Sequence, residues 1–318
     1  MIVVLDGPDG ESAALCAAFE TRGRFALRVI EAERRGNAYT KNVGIEAARG
    51  QLTVFLNDDV RPVPRFLERH IAAHTARDGH PALVLGHSPW TVHRPDRLFD
   101  RLLRETSMVF FYDRMVDRDG VSMEPEGHDW GFRHAWTLNL SGLTECVRRV
   151  GGFDESLANC CFEDVEFGWR FTRMLGAPVL FRADAVADHD HRYGPVDYLR
   201  REFRLGYSAW GLAMSNPQCA RAVFRRDLRE PGEVSRCREQ NGEEARLVPE
   251  WRAWFESLAG ASAEAVGGGV ELGAIYERHL PLKRHEFRRG LLAAADGEIV
   301  EGLYPARLPA SLSTAPGD

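Results

Sequence analysis

Residues 52–64 read LTVFLNDDVRPVP. Leu52 to Leu56 form an apolar run that passes directly into Asn57, Asp58 and Asp59, and Pro62 and Pro64 follow. The run predicts a buried strand, the polar triplet its turn, and the prolines the opening of a helix over 64–77. The same alternation extends to both sides. IVVL (2–5), stopped by Asp6-Gly7-Pro8, predicts a strand; 11–22 have helical apolar spacing; FALRVIEA (25–32) predicts a second strand. A helix over 38–49 ends at Gly50, and ALVLG (82–86) is a fourth strand. Strands alternating with helices predict an α/β fold with a mostly parallel central sheet flanked by helices.

Further along, 87–135 break the pattern with a stretch rich in Trp, His, Arg and Phe, expected as loops and helices over the sheet. WTLNLSG (136–142) is strand-like, a short helix precedes Gly151, 162–175 is an amphipathic helix, and 179–191 is a strand or strand pair. Beyond Pro195 the pattern is helical, notably over 197–214 and 271–295, with a flexible Gly- and Ala-rich break at 258–270. The expected organisation is a sheet domain over 1–195, a mainly helical region over 196–305 and a disordered tail over 306–318.

The 318 residues suffice for one large α/β domain with an appendage. A net charge of −6 argues against nucleic acid as a partner. There is no apolar run long enough to cross a bilayer and no signal-peptide pattern at MIVVLDGPDG. Six cysteines without CxxC spacing fit reduced thiols, so the expected location is cytoplasmic, with the inner face of the membrane as an option. That option rests on 197–214, where Tyr198, Phe203 and Trp210 alternate with Arg200, Arg201 and Arg204, a mixture suited to peripheral membrane contact.

Two acidic sites carry the chemistry. Ligands of open α/β sheets bind at the carboxyl ends of strands, where a pair such as Asp58-Asp59 can hold a divalent ion through oxygen. About a hundred residues on, GGFDESLANCCFEDVEF (151–167) places Glu163 and Asp164 at a helix start. Adjacent carboxylates raise one another's pKa while a helix N-terminus lowers it. His189 and His191, in AVADHDH, fall on one face of a strand.

The order of these pieces resembles the family 2 glycosyltransferases, enzymes of the GT-A fold, over roughly residues 1–215. The resemblance implies an inverting transfer of a sugar from a nucleoside-diphosphate sugar to an acceptor hydroxyl. It implies Mn²⁺ or Mg²⁺ held by Asp59 with His189 or His191, His189 being preferred. The family's Asp-x-Asp motif reads Asn57-Asp58-Asp59 here, so Asn57 and Asp58 would lie near the ribose and diphosphate. Asp164 corresponds to the general base, and Glu163 would contact the acceptor or orient Asp164. Asp6 in VVLDGPDG resembles the family's base-binding acid. Lys41 and Asn42 in YTKNVGIEAARG resemble its ARNxGxxxAxG element, and Asn139 in TLNLSG resembles the segment lining the donor sugar. The acceptor would be a saccharide, a lipid-linked or a small molecule, bound against the aromatic 87–136 stretch through Trp90, Trp130 or Trp136. Members normally open on a further strand with a Pro-Thr-x-Asn-like loop, whereas MIVVLDGPDG begins in the second strand. An upstream start, another segment filling the gap, or a lost donor site would each account for that, and the first is favoured. The competing function is a non-catalytic GT-A-like protein that binds carbohydrate or nucleotide sugar; a sugar-phosphate nucleotidyltransferase would need a Gly-rich N-terminal loop that MIVVLDGPDG lacks.

Overall fold

The computed structural model describes residues 1–20, 25–159 and 161–304. The expected tail at 306–318 lies outside the described residues, as do Thr21, Arg22 and Cys160. The chain opens as β1 (Ile2–Asp6), α1 (Gly10–Glu20), β2 (Arg28–Ala32) and α2 (Asn37–Ala47). It continues as β3 (Leu52–Leu56), β4 (Val60–Pro62), α3 (Phe66–Thr75), β5 (Leu83–His87) and α4 (Leu98–Glu105). β6 (Asn139–Leu143), α5 (Thr144–Arg149), α6 (Glu163–Leu175) and β7 (Val179–His189) complete the mixed α/β part.

Five strands form one sheet in the order β3-β6-β5-β7-β4. β5 pairs with β7 in parallel, while β6 runs against both β3 and β5 and β4 runs against β7. The sheet is therefore mixed in direction rather than mostly parallel. The short turn at 57–59 forces β4 to fold back from β3, and it pairs with the far end of β7. β1 and β2 form a separate parallel pair. Leu83, Val84 and Leu85 are wholly buried, as expected of a central strand covered on both faces. β7 is one strand of 11 residues with an irregularity opposite Gly86 and His87, so the choice between one strand and two resolves to one.

Between β6 and α3 the core is polar. The Asn139 amide donates to the carbonyls of His87 and Ala185 at 3.2 and 3.0 Å, which leaves its oxygen to accept from His70 Nε2 at 2.9 Å. His70 Nδ1 must then accept from the Ser141 hydroxyl at 2.8 Å, and that hydroxyl accepts from His74 Nε2 at 2.9 Å. Each donor in this relay has an acceptor only while both imidazoles are neutral. Burial pushes both histidines down to about 4, against an ordinary value near ~6.5. Their contribution is complete above the ordinary value and is lost as pH falls towards the folded value, because only the unfolded chain takes up protons in that window. The melting temperature is expected to fall steeply between about pH 6.5 and pH 4, with each histidine contributing on the order of 1–3 kcal/mol. A melting temperature flat across that window in a pH series would contradict the relay.

The rest is helical: α7 (Pro195–Ser215), α8 (Pro217–Phe224), α9 (Pro231–Glu244), α10 (Val248–Ser257) and α11 (Gly269–Ala295). α7 and α11 cross at Gly206 and Gly290. A Cβ on either would lie 1.8 Å from the partner helix's backbone oxygen, Phe287 O or Phe203 O, so only glycine allows the approach. The crossing buries Tyr198, Tyr207 and Leu212, the apolar face of α7. Of the residues expected to meet a membrane, Tyr198 is packed within the protein, while Phe203 and Trp210 are half-buried and Arg200 and Arg204 are exposed. Among the described residues no helix is long and apolar enough to cross a membrane. The expected break at 258–270 is instead ordered. Short 3₁₀ turns cover 258–260 and 263–265, and α11 begins at Gly269. The Arg101 guanidinium holds the segment through the carbonyls of Ala263, Val266 and Gly267 at 2.8, 2.9 and 3.0 Å. Local composition carries no trace of that distant cation.

Candidate active site

Asp59 is positioned by two strands. Val60 on β4 pairs with His189 on β7, and the Asp190 N–H donates to the Asp59 carbonyl at 2.7 Å. This register brings His189 Nε2 and His191 Nδ1 each to 3.3 Å from Asp59 Oδ2. Burial works to raise the Asp59 pKa, but hydrogen bonds from both histidines outweigh it and hold the carboxyl well below the usual carboxylate range. Asp59 Oδ1 is buried with no hydrogen-bond partner, a free lone-pair surface beside two imidazoles.

The donor set of one carboxylate oxygen with imidazole nitrogens suits Mn²⁺ better than Mg²⁺, which prefers oxygen. Among the described residues no three His, Cys, Asp or Glu side chains close into a metal cage. Asp59 and one histidine therefore fit as a partial shell, leaving further positions for oxygens from elsewhere. Of the two, His189 is buried, its Nδ1 has no partner, and Trp90 stacks on its ring at 4.2 Å. A ligating imidazole normally donates its second N–H to an acceptor, which His189 lacks and the more exposed His191 can find in water. Both imidazoles stand equally close to Asp59 and differ in what surrounds their second ring nitrogen. Asn57 and Asp58 project to solvent and make no side-chain hydrogen bond or ion pair among the described residues.

The second site is built at the start of α6. Gly152, with φ +64°, faces the Asn42 side chain so closely that a Cβ would lie 2.5 Å from its Oδ1. Asn42 accepts from Phe153 N at 2.8 Å and donates to Phe153 O and Glu155 at 2.9 and 3.0 Å. Its amide is engaged in fixing the GGFDE turn. Phe153 stacks on Phe167 and meets Phe55 of β3 edge-on at 5.4 Å, tying the turn to the strand that leads into Asp59.

Glu163 is buried, and its Oε1 accepts from Lys41 Nζ at 2.7 Å while its Oε2 accepts from Cys161 N at 2.8 Å. Burial opposes its charge, yet Lys41 and the Cys161 N–H prevail and keep Glu163 ionised. Asp164 is half-buried yet densely surrounded. Burial first, and then the Glu163 charge, push it up to about 7. Two neighbouring carboxylates are thus driven apart, one fixed as an anion and the other poised to exchange a proton near neutrality.

Three residues expected at the donor are placed differently. Lys41 is bonded to Glu163 rather than left for phosphate. Asn139 is wholly buried beneath His70, because β6 turns residues 139 and 141 towards α3. Asp6 accepts from Arg35 N and Gly36 N at 2.9 and 3.1 Å and shapes the entry to α2. Trp90, expected against a sugar, stacks on His189, and Phe110 packs on Trp136 at 5.2 Å beside it. The link from Lys41 to Glu163 spans 122 residues and had no local signal.

Residues 1–138 match the family model described as glycosyl transferase family 2. The match makes that stretch similar to the family, and Glu163, Asp164, His189 and His191 lie beyond it. A pre-mycofactocin glycosyltransferase of Mycobacterium tuberculosis is 29% identical over 192 residues, covering 58% of this chain and 36% of that protein. The validoxylamine A glucosyltransferase of Streptomyces hygroscopicus is 26% identical over 187 residues, covering 54% of this chain and 43% of that one. This chain thus spans less than half the length of these two curated relatives. A mannosyltransferase from Pyrobaculum calidifontis, solved with GDP-Man and Mn²⁺, is 18% identical with a TM-score of 0.49, covering 92% of this chain and 76% of that one.

Proposed function

We propose that this protein transfers a glycosyl group from a nucleoside-diphosphate sugar to an acceptor hydroxyl with inversion, Asp164 acting as general base. The observation that carries this reading is the pair at the start of α6, with Asp164 pushed up to about 7 beside an ionised Glu163. A base is most effective when its pKa lies near the working pH. Asp164 accepts the acceptor's hydroxyl proton as that oxygen forms its bond to the anomeric carbon. The bond from that carbon to the diphosphate breaks, and the diphosphate leaves with the electron pair. Lys41 holds Glu163 in place, and the fixed Glu163 charge acts on the neighbouring Asp164. Asp59 with His191 or His189 would hold a divalent ion, which when bound supplies positive charge for the leaving diphosphate. The aromatic group around Trp90 and Phe110 borders that site and offers ring faces to a sugar. The family match and the relatives' names support glycosyl transfer.

The reading is tested by thermal stability with UDP, GDP, dTDP and CMP, each with and without Mn²⁺. One nucleotide is expected to raise the melting temperature, and by more with Mn²⁺ present, as mass action requires of a ligand bound only by the folded state. A shift with one nucleotide but no hydrolysis or transfer of any matching nucleotide sugar would favour the non-catalytic binding protein instead.

A further inference from the structure

A cavity of about 490 Å³ opens between α7, α10, α11 and the segment at 300–303, and no residue of the candidate active site lines it. Its volume lies within the range of small-molecule sites, about 300–1,000 Å³. Its lining divides by chemistry. Leu199, Phe203, Val300 and Leu303 give an apolar floor with no side-chain donor or acceptor. Arg200, Arg204, Arg252 and Arg289 give four guanidiniums, against two carboxylates from Glu286 and Glu301.

The cations are not equivalent. Glu286 is buried and ion-paired with both Arg252 and Arg289, the latter at 2.7 Å, and so anchors two guanidiniums at the cavity wall. Arg289 also lies over the Phe203 ring at 5.4 Å, joining cationic rim to apolar floor. Arg200 is only loosely neutralised, by exposed Asp197 at 3.1 Å, and Arg204 makes no ion pair among the described residues. The lining therefore keeps a positive excess above a floor that cannot satisfy a polar ligand body. Arginine forks match phosphate oxygens well, whereas a nucleobase would need edge partners that Leu, Val and Phe cannot provide.

We propose that this cavity is a second binding site, distinct from the transferase site, for an amphiphilic anion: a phosphate ester on an aliphatic or prenyl chain. The phosphate sits among Arg200, Arg204 and Arg289, and the chain lies on Leu199, Phe203, Val300 and Leu303. The test is calorimetric titration of the full chain with decyl phosphate below its micelle concentration, beside inorganic phosphate and the neutral amphiphile decyl maltoside. Decyl phosphate is expected to bind saturably and at least tenfold more tightly than either control. The double variant Arg200→Gln/Arg204→Gln is expected to weaken it at least tenfold, and Asp59→Asn to leave it unchanged. Both arginines project from the surface of α7, so their loss should spare the fold. Val196→Asp gives a second route, since it sets a negative charge at the cavity mouth in the first turn of α7, where helices accept acids. Equal binding of the neutral amphiphile or of phosphate alone would overturn the proposal. So would binding indifferent to both variants, or binding lost in Asp59→Asn.

Discussion

Asp164→Asn is expected to lower turnover by about 10²–10⁴-fold while nucleotide affinity stays within a small factor of the parent. Asparagine keeps the size and the backbone contact of the side chain but cannot take a proton. The parent's turnover should rise with pH through about 7, as Asp164 loses its proton, and this limb should vanish in the variant. Stability should move the other way. Burial and Glu163 raise the folded pKa of Asp164, so its ionised form is unfavourable in the fold and stability declines as pH rises from the unfolded value to the folded one. Removing that charge should leave the variant at least as stable as the parent at pH 8. Activity that survives Asp164→Asn with its pH profile intact would take the base role away from this residue. A variant that is inactive and also unfolded would be uninformative, so melting curves belong in the same experiment, with Asp164→Glu, which keeps the carboxylate, as the second substitution.

Asp59→Asn is expected to abolish the Mn²⁺-dependent part of the nucleotide-induced stabilisation. The whole nucleotide-induced stabilisation is about 2.7 kcal/mol when the ligand stands at a hundredfold its dissociation constant, and the Mn²⁺-dependent part is the share lost without the metal. Asparagine preserves the shape between His189 and His191 and removes the negative charge that a cation needs. His191→Ala should weaken Mn²⁺ dependence more than His189→Phe, since His189 Nδ1 has no acceptor and its ring is committed to the stack on Trp90. Identical nucleotide affinity with and without Mn²⁺ in the parent would remove the metal from this site altogether.

The two acidic sites differ in how much of them was legible in one dimension. Asn57-Asp58-Asp59 follows an apolar run, and Glu163-Asp164 opens an amphipathic helix, so type and position are both visible in local spacing. His189 and His191 share a strand face because side chains alternate with period two. Which histidine is suited to a ligand role depends on the partner of the second ring nitrogen, and that is a matter of what packs against β7. The split between Glu163 and Asp164 was likewise invisible, because Lys41 reaches Glu163 from α2, 122 residues away.

The same division runs through the fold. Strand and helix identity over most of 1–195, and the helical run after Pro195, follow from apolar periodicity and from proline and glycine at the ends, which act within a few residues. Strand direction in the sheet, the separation of β1 and β2 from it, and the ordering of 258–267 by Arg101 are long-range outcomes. Asn139 shows the limit most clearly. Its strand was readable, but whether its amide faces a ligand or the core depended on which side of β6 met α3, and burial with His70 decided it. The sequence by itself determined the elements and the residue types at the candidate site, because those depend on neighbours in the chain. Only the tertiary structure decided the pairings and the pKa shifts, because desolvation and charge contact depend on neighbours in space.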